Sequence, residues 1–171
     1  MGDDQHHQDG TKNVHAGTNH VGESVNTPIF LSSTYKLTEE RYAGWAAGAQ
    51  HTLLYSRLSS VNSDAVAQKI CAMEGGEDAE TFASGMAAIS STLMMLLSQG
   101  DHMVASADVY GGTYGLITEE LPRFGIETTM ADMTDPSSYE AAVQPNTKIL
   151  YIETITNPNL KVCDIPAMVE I

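Results

Sequence analysis

Apolar positions change period along this chain, and most of the change falls after residue 60. Val66, Ile70 and Met73 recur at helical spacing and the run ends at Gly75-Gly76, a helix stop. Residues 81–83 form a short β-like stretch. Residues 86–97 read as a helix with small residues on one side and Leu and Met on the other. Beyond it, residues 103–105, 126–130 and 149–152 read as strands, the last of them buried. Between the strands the pattern predicts a helix over 115–121, stopped near Pro122. A second helix begins at Pro136, capped by Asp135, and runs to Val143. A further helix starts at Ile165. Repeated alternation of helix and strand predicts an α/β fold, a mostly parallel sheet with helices on both faces.

Residues 1–60 carry little periodicity. Gly10, Gly17, Gly22, Pro28, Gly44 and Gly48 punctuate polar clusters such as Ser32-Ser33-Thr34, which predicts an extended N-terminal arm. The expected organisation is therefore an arm over 1–60 and an α/β domain over 61–171. The last residues, Val169-Glu170-Ile171, read as the first turn of a helix that a doubly wound sheet would return to another strand. The domain is accordingly expected to be incomplete.

Composition narrows the function classes. The 171 residues are 42% hydrophobic, 18% charged and 6% aromatic, enough apolar content for a buried core. Acidic residues outnumber basic ones 22 to 8, a formal net charge of −14. Such a surface repels a phosphate backbone, which argues against nucleic-acid binding. No apolar run approaches the roughly 20 residues that cross a bilayer, and residues 1–10 are acidic and polar where a secretory leader would be basic and apolar. A soluble, cytoplasmic protein is expected, with no membrane partner. His6, His7, His15 and His20 fit no metal-ligand template, and Cys71 and Cys163 lack zinc or redox spacing, so no metal is expected and both thiols are expected free and buried.

Four segments carry candidate chemistry. At Ala83-Ser84-Gly85-Met86 a strand gives way to a helix, either as an ordinary turn or as a place where unpaired amides at the positive end of the helix dipole cradle a phosphate. Gly85 would let a ligand approach the backbone. At Tyr110-Gly111-Gly112-Thr113-Tyr114 two glycines beside an aromatic ring form either a plain loop or a cover for a planar ligand. Tyr55-Ser56-Arg57 offers a guanidinium fork and a hydroxyl that suit a phosphate, or a surface arginine beside a packed ring. Glu153 to Asn159 follows a buried strand, where open α/β sheets place their ligands, and Asn157 stands in a turn. Neither GxGxxG nor GxxxxGK[ST] occurs.

Together YSR, EGGEDAxxFASGMAAI, DVYGGTY and ETITNPNL resemble, in order and spacing, the Cys/Met-metabolism pyridoxal-phosphate enzymes. That group includes cystathionine γ-synthase, cystathionine lyases, methionine γ-lyase and O-acetylhomoserine sulfhydrylase. TPIFLSSTY (Thr27 to Tyr35) is similar to the family's N-terminal arm. The resemblance runs from about residue 12 to the end of the chain and covers less than half of a usual member. It implies the first part of an aspartate-aminotransferase-like (type I) domain binding pyridoxal 5'-phosphate. By resemblance, Gly85 and Met86, with Ser84 close by, hold the cofactor phosphate; Tyr110 stacks on the ring and handles a proton at the leaving group; Asn157 bonds the ring hydroxyl. Tyr55 and Arg57 reach the phosphate of a neighbouring subunit in a homo-oligomer, a dimer of dimers with shared active sites. The implied activity is β/γ-elimination or γ-replacement on a sulfur amino acid or an activated homoserine.

Two features depart from the family pattern. The Asn-Pro-Thr segment that usually follows YSR is replaced by Ser60-Val61-Asn62. The aspartate that holds the pyridine nitrogen and the Schiff-base lysine of the family both fall beyond residue 171. Lys12, Lys36, Lys69, Lys148 and Lys161 lie outside that lysine motif. The expectation is that this chain alone is inactive; the alternative is a short homologue that binds cofactor or a partner without catalysis.

Overall fold

The computed structural model describes residues 9–18, 24–49 and 52–171. His6, His7, His20 and Gly22 lie outside the described residues. The chain falls into two compact units, one ending at Thr81 and the other spanning Phe82–Ile171.

In the first unit, two short helices form within the arm: α1 (Asp9–His15) and α2 (Glu39–Ala46). The start of α2 follows from its cap. Thr38 accepts the amide of Arg41, and Glu39 and Glu40 place negative charge at the positive end of the dipole. Gly44 is inside the helix and Gly48, at φ +83°, follows it. Helix α3 (Val61–Glu74) opens on a capping box between Ser60 and Ser63 and closes at Gly75 in the left-handed conformation. Its Val66 and Ile70 stay exposed, while Asp64 and Ala67 are buried. Extended backbone is pinned to α3 by Asn62, whose Oδ1 accepts the Phe30 amide and whose Nδ2 donates to the Pro28 carbonyl, both at 2.8 Å. Tyr55 pairs with Thr34 in an antiparallel bridge.

The second unit contains helix α4 (Gly85–Leu96), strand β1 (His102–Ser106), helix α5 (Gly111–Gly115), strand β2 (Glu127–Ala131), helix α6 (Pro136–Ala142), strand β3 (Thr147–Tyr151) and helix α7 (Ile165–Val169). The three strands are parallel in the order β2-β1-β3. Central β1 is buried along its whole length, as a strand covered on both faces must be. Met103 and Ala105 point into a core with Leu93, Leu97, Ile117, Leu121 and Ile126. Val104 points the other way, against Tyr139, Met133 and Met168. Helix α4 and the helical turns that follow α5 thus cover one face, α6 and α7 the other.

Two expectations fail locally. No strand forms over 81–83, because three residues without a neighbour to complete a ladder gain nothing from extension. The helix expected over 115–121 begins earlier, at Gly111, and continues through a π-helical turn (Leu116–Glu120) and a 3-10 turn (Leu121–Phe124). Pro122 does not stop it. The proline sits at the start of the 3-10 turn, where its missing N–H costs no bond, and the stop is Gly125 at φ +73°. Cys163 is buried and Cys71 half-buried, both free, with the Cys71 thiol donating to the Gly76 carbonyl.

Candidate functional site

Strand order fixes where this sheet can bind. From central β1 the chain leaves across one face to β2, whereas β3 lies on the opposite side of β1 and leads to α7 on the other face. Two connections that diverge in this way leave a crevice at the carboxyl ends of β1 and β3, the usual ligand position in an open α/β sheet. The loops that leave those two strand ends carry Tyr110 and Asn157.

The rim is built as follows. Ser84 caps α4, its hydroxyl accepting the Ala87 amide at 3.1 Å. The amides of Gly85 and Met86, ahead of the first intrahelical bond, have no acceptor among the described residues. A side chain added at Gly85 would meet nothing within 4 Å, so the backbone there is open to approach. Tyr110 precedes α5, is half exposed, and donates its amide to Glu153 Oε1 at 2.9 Å. Its ring lies against Gly112: a Cβ there would stand 2.6 Å from Tyr110 Cε1 and 3.2 Å from Met86 Sδ. Gly112 is what lets the Tyr110 ring lie beside Met86 at the start of α4. Thr113, wholly buried, donates to Met86 Sδ at 3.8 Å. Tyr151, at the end of β3, has its phenol pushed above the ordinary range by burial, against a hydrogen bond with Thr113.

Charge at the strand ends is concentrated on one pair. Asp108 Oδ2 lies 2.6 Å from Lys161 Nζ, and its Oδ1 accepts from Asn159 Nδ2 at 2.8 Å. The lysine bond, then the asparagine bond, hold the Asp108 carboxyl below its usual range; the same contact raises the Lys161 ammonium. Asp132, after β2, also lies below the usual range through bonds from the amide and hydroxyl of Thr134.

The structure therefore places Ser84, Gly85, Met86, Tyr110 and Asn157 on the second unit, with the Met86 sulfur and the Tyr110 ring both beside Gly112. Tyr55 and Arg57 belong to the first unit, both exposed, with the guanidinium 5.5 Å over the Tyr55 ring. Gly112 and Glu153 fall within the candidate segments of the sequence, but the contacts Asp108 makes with Lys161 and Asn159, and Glu153 with the Tyr110 amide, carry no local signal beyond an acidic residue just past each strand end. Among the described residues no cluster of His, Cys, Asp or Glu could hold a metal, and no helix is long and apolar enough to cross a membrane.

Residues 10–171 match the profile of the Cys/Met metabolism PLP-dependent enzymes. The chain belongs to that family. Among the family's curated members, it is 39% identical over 164 residues to L-methionine gamma-lyase of Porphyromonas gingivalis, covering 94% of this chain and 41% of that protein. It is 50% identical over 149 residues to cystathionine beta-lyase MetC of Bacillus subtilis, covering 86% of this chain and 36% of the relative. A solved Campylobacter jejuni protein, provisionally named an O-acetylhomoserine (thiol)-lyase, superposes with a TM-score of 0.83 at 34% identity over 93% of this chain and 40% of its own. That crystal structure contains N'-pyridoxyl-lysine-5'-monophosphate. The chain thus spans about two fifths of the length of these relatives. The family's fold-type I architecture and its cofactor, pyridoxal 5'-phosphate, apply to this chain. The rim fits such a group: two unpaired amides and a hydroxyl suit a phosphate, and a half-exposed phenol ring suits a flat heterocycle.

Proposed function

We propose that the crevice at β1 and β3 holds pyridoxal 5'-phosphate for a transsulfuration-type enzyme. The observation that carries the reading is the pair of unpaired amides at Gly85 and Met86 opening beside the Tyr110 ring. In this reading the amides bind the phosphate, Ser84 lies close by and fixes the helix start, Tyr110 covers the ring, and Asn157 bonds the ring hydroxyl. When bound, the cofactor supplies an electron sink that stabilises negative charge developing on an amino-acid substrate. Tyr110 has a second role, since its hydroxyl can carry a proton to or from the departing group. The reaction class is β/γ-elimination or γ-replacement on a sulfur amino acid or an activated homoserine, in line with the names of the relatives.

Tyr55 and Arg57 are assigned to the phosphate of a neighbouring copy, in a dimer of dimers, with arm over 1–60 and cofactor domain over 61–171. Support comes from the arm itself, which leaves Ile29 and Leu31 82% and 97% exposed, apolar area that a second copy would cover. A cytoplasmic location accords with an amino-acid metabolite as substrate.

These 171 residues alone are proposed to bind without turnover. Lys161 is the lysine held at the strand ends, and Asp108 keeps it an ammonium, a form that cannot attack an aldehyde. The test is borohydride reduction of the chain incubated with pyridoxal phosphate, read by peptide mass spectrometry. The expected result is no site-specific adduct at Lys12, Lys36, Lys69, Lys148 or Lys161. A stoichiometric adduct on one of them would show a recruited amine and overturn the no-turnover reading.

A further inference from the structure

The loop after β3 folds into a hairpin of its own. Ile155 and Val162 form an antiparallel bridge, the Thr156 amide donates to the Lys161 carbonyl at 3.0 Å, and the Lys161 amide donates to Thr156 Oγ1 at 3.1 Å. Thr156 is buried, but Asn157, Pro158, Asn159 and Leu160 at the tip are exposed, so the hairpin's own packing does little to aim Asn157. What crosses to the neighbouring loop is charge. Asp108, two residues before Tyr110, reaches the hairpin with both carboxylate oxygens: one on Asn159, two residues past Asn157, the other on Lys161. A return contact runs from the Tyr110 amide to Glu153 at the hairpin's base.

We infer that Asp108 is a positioning residue that sets the spacing between the Tyr110 loop and the Asn157 hairpin through its bonds to Lys161 and Asn159. The inference rests on the cofactor reading above, because it assigns Asp108 to orient two groups that reading places on one ring. Both bonds are charge-assisted and directional. The pair is partly solvated, with side chains 19% and 39% exposed, so its contribution to global stability is small and its effect is on local geometry.

Its pH window follows from the shifts. The Asp108 carboxyl is depressed, so its contribution is present above the ordinary carboxylate range and lost only as pH falls through its lowered value. The Lys161 ammonium is raised, so its contribution is present below the ordinary lysine range and lost only as pH rises through its higher value. Asp132 faces the same pair electrostatically and favours the charged lysine. The latch is therefore closed throughout the neutral range.

Hydrogen exchange of the full chain without cofactor tests the latch, with Asp108→Asn and Lys161→Met breaking it from either side. Both variants are expected to speed exchange over residues 154–162 by about threefold or more, a size set by a partly solvated ion pair, with β1 unchanged. Equilibrium dialysis then tests the positioning. Pyridoxine 5'-phosphate has no aldehyde and needs no lysine; its dissociation constant is expected to rise by a similar factor in both variants, while that of inorganic phosphate stays constant. Unchanged exchange over 154–162, or an equal rise in β1, overturns the latch. Equal weakening of both ligands, or of neither, overturns the positioning role. If the wild-type chain binds neither ligand while exchange responds locally, the cofactor reading fails, and the latch stands as a loop tether.

Discussion

Gly112 shows how much one missing methyl can hold in place. It has an ordinary helical backbone, so the reason for glycine is space: a Cβ would meet the Tyr110 ring at 2.6 Å and the Met86 sulfur at 3.2 Å. Both neighbours are ends of side chains that can swing away, so Gly112→Ala is expected to displace the ring rather than unfold the helix. Alanine's better helix propensity offsets part of the crowding, and global stability should shift by no more than about 1 kcal/mol. Affinity for pyridoxine 5'-phosphate should fall by about tenfold, the worth of a well-placed aromatic contact. Thermal unfolding and equilibrium dialysis on the same sample separate the two effects. Loss of fold with loss of binding would place Gly112 in the core instead. From the sequence, the two glycines beside Tyr110 already suggested close approach, but which side chains approached was invisible until α4 and α5 were placed together.

Helix ends were the most legible elements because their chemistry is local. Asp135 caps α6 as its position before Pro136 suggested, accepting both the amide and the hydroxyl of Ser137, at 3.0 and 2.7 Å. Asp135→Ala is expected to cost about 1 kcal/mol, read as a lowered denaturation midpoint with an unchanged slope. An unchanged midpoint would mean that Pro136 and the packing of Tyr139 set the helix start without the cap. The strands were legible for a similar reason: β1, β2 and β3 lie within two residues of the apolar runs that suggested them. What escaped was context. Residues 81–83 have strand-like side chains but no partner strand. Pro122 reads as a breaker until it is seen at the start of a 3-10 turn, where its missing N–H costs no bond. Helices α1 and α2 sit among glycines and polar residues, and only the Thr38 cap marks one of them.

At the scale of the molecule, the parallel sheet could be expected from the alternation of elements, yet its strand order could not. The order β2-β1-β3 brings the ends of β1 and β3 side by side, and with them the loops of Tyr110 and Asn157, which lie more than forty residues apart in sequence. The same adjacency creates the Asp108–Lys161 contact, which no local pattern announces. Family resemblance named the candidate residues; the topology puts the loops of Tyr110 and Asn157 at neighbouring strand ends. Tyr55 and Arg57 belong to the first unit, and their assignment to a neighbouring copy rests on the resemblance.

In the proposed function, the rim of this crevice, with the α4 amides at one edge, binds a phosphorylated pyridine. The most direct measurement is a two-dimensional amide NMR spectrum of the isotopically labelled chain titrated with pyridoxal 5'-phosphate. Saturable shifts are expected at Gly85, Met86, Tyr110 and the residues around Asn157, with inorganic phosphate reproducing only those at Gly85 and Met86. Shifts confined to other residues, or the absence of any saturable change at Gly85 and Met86, would contradict it.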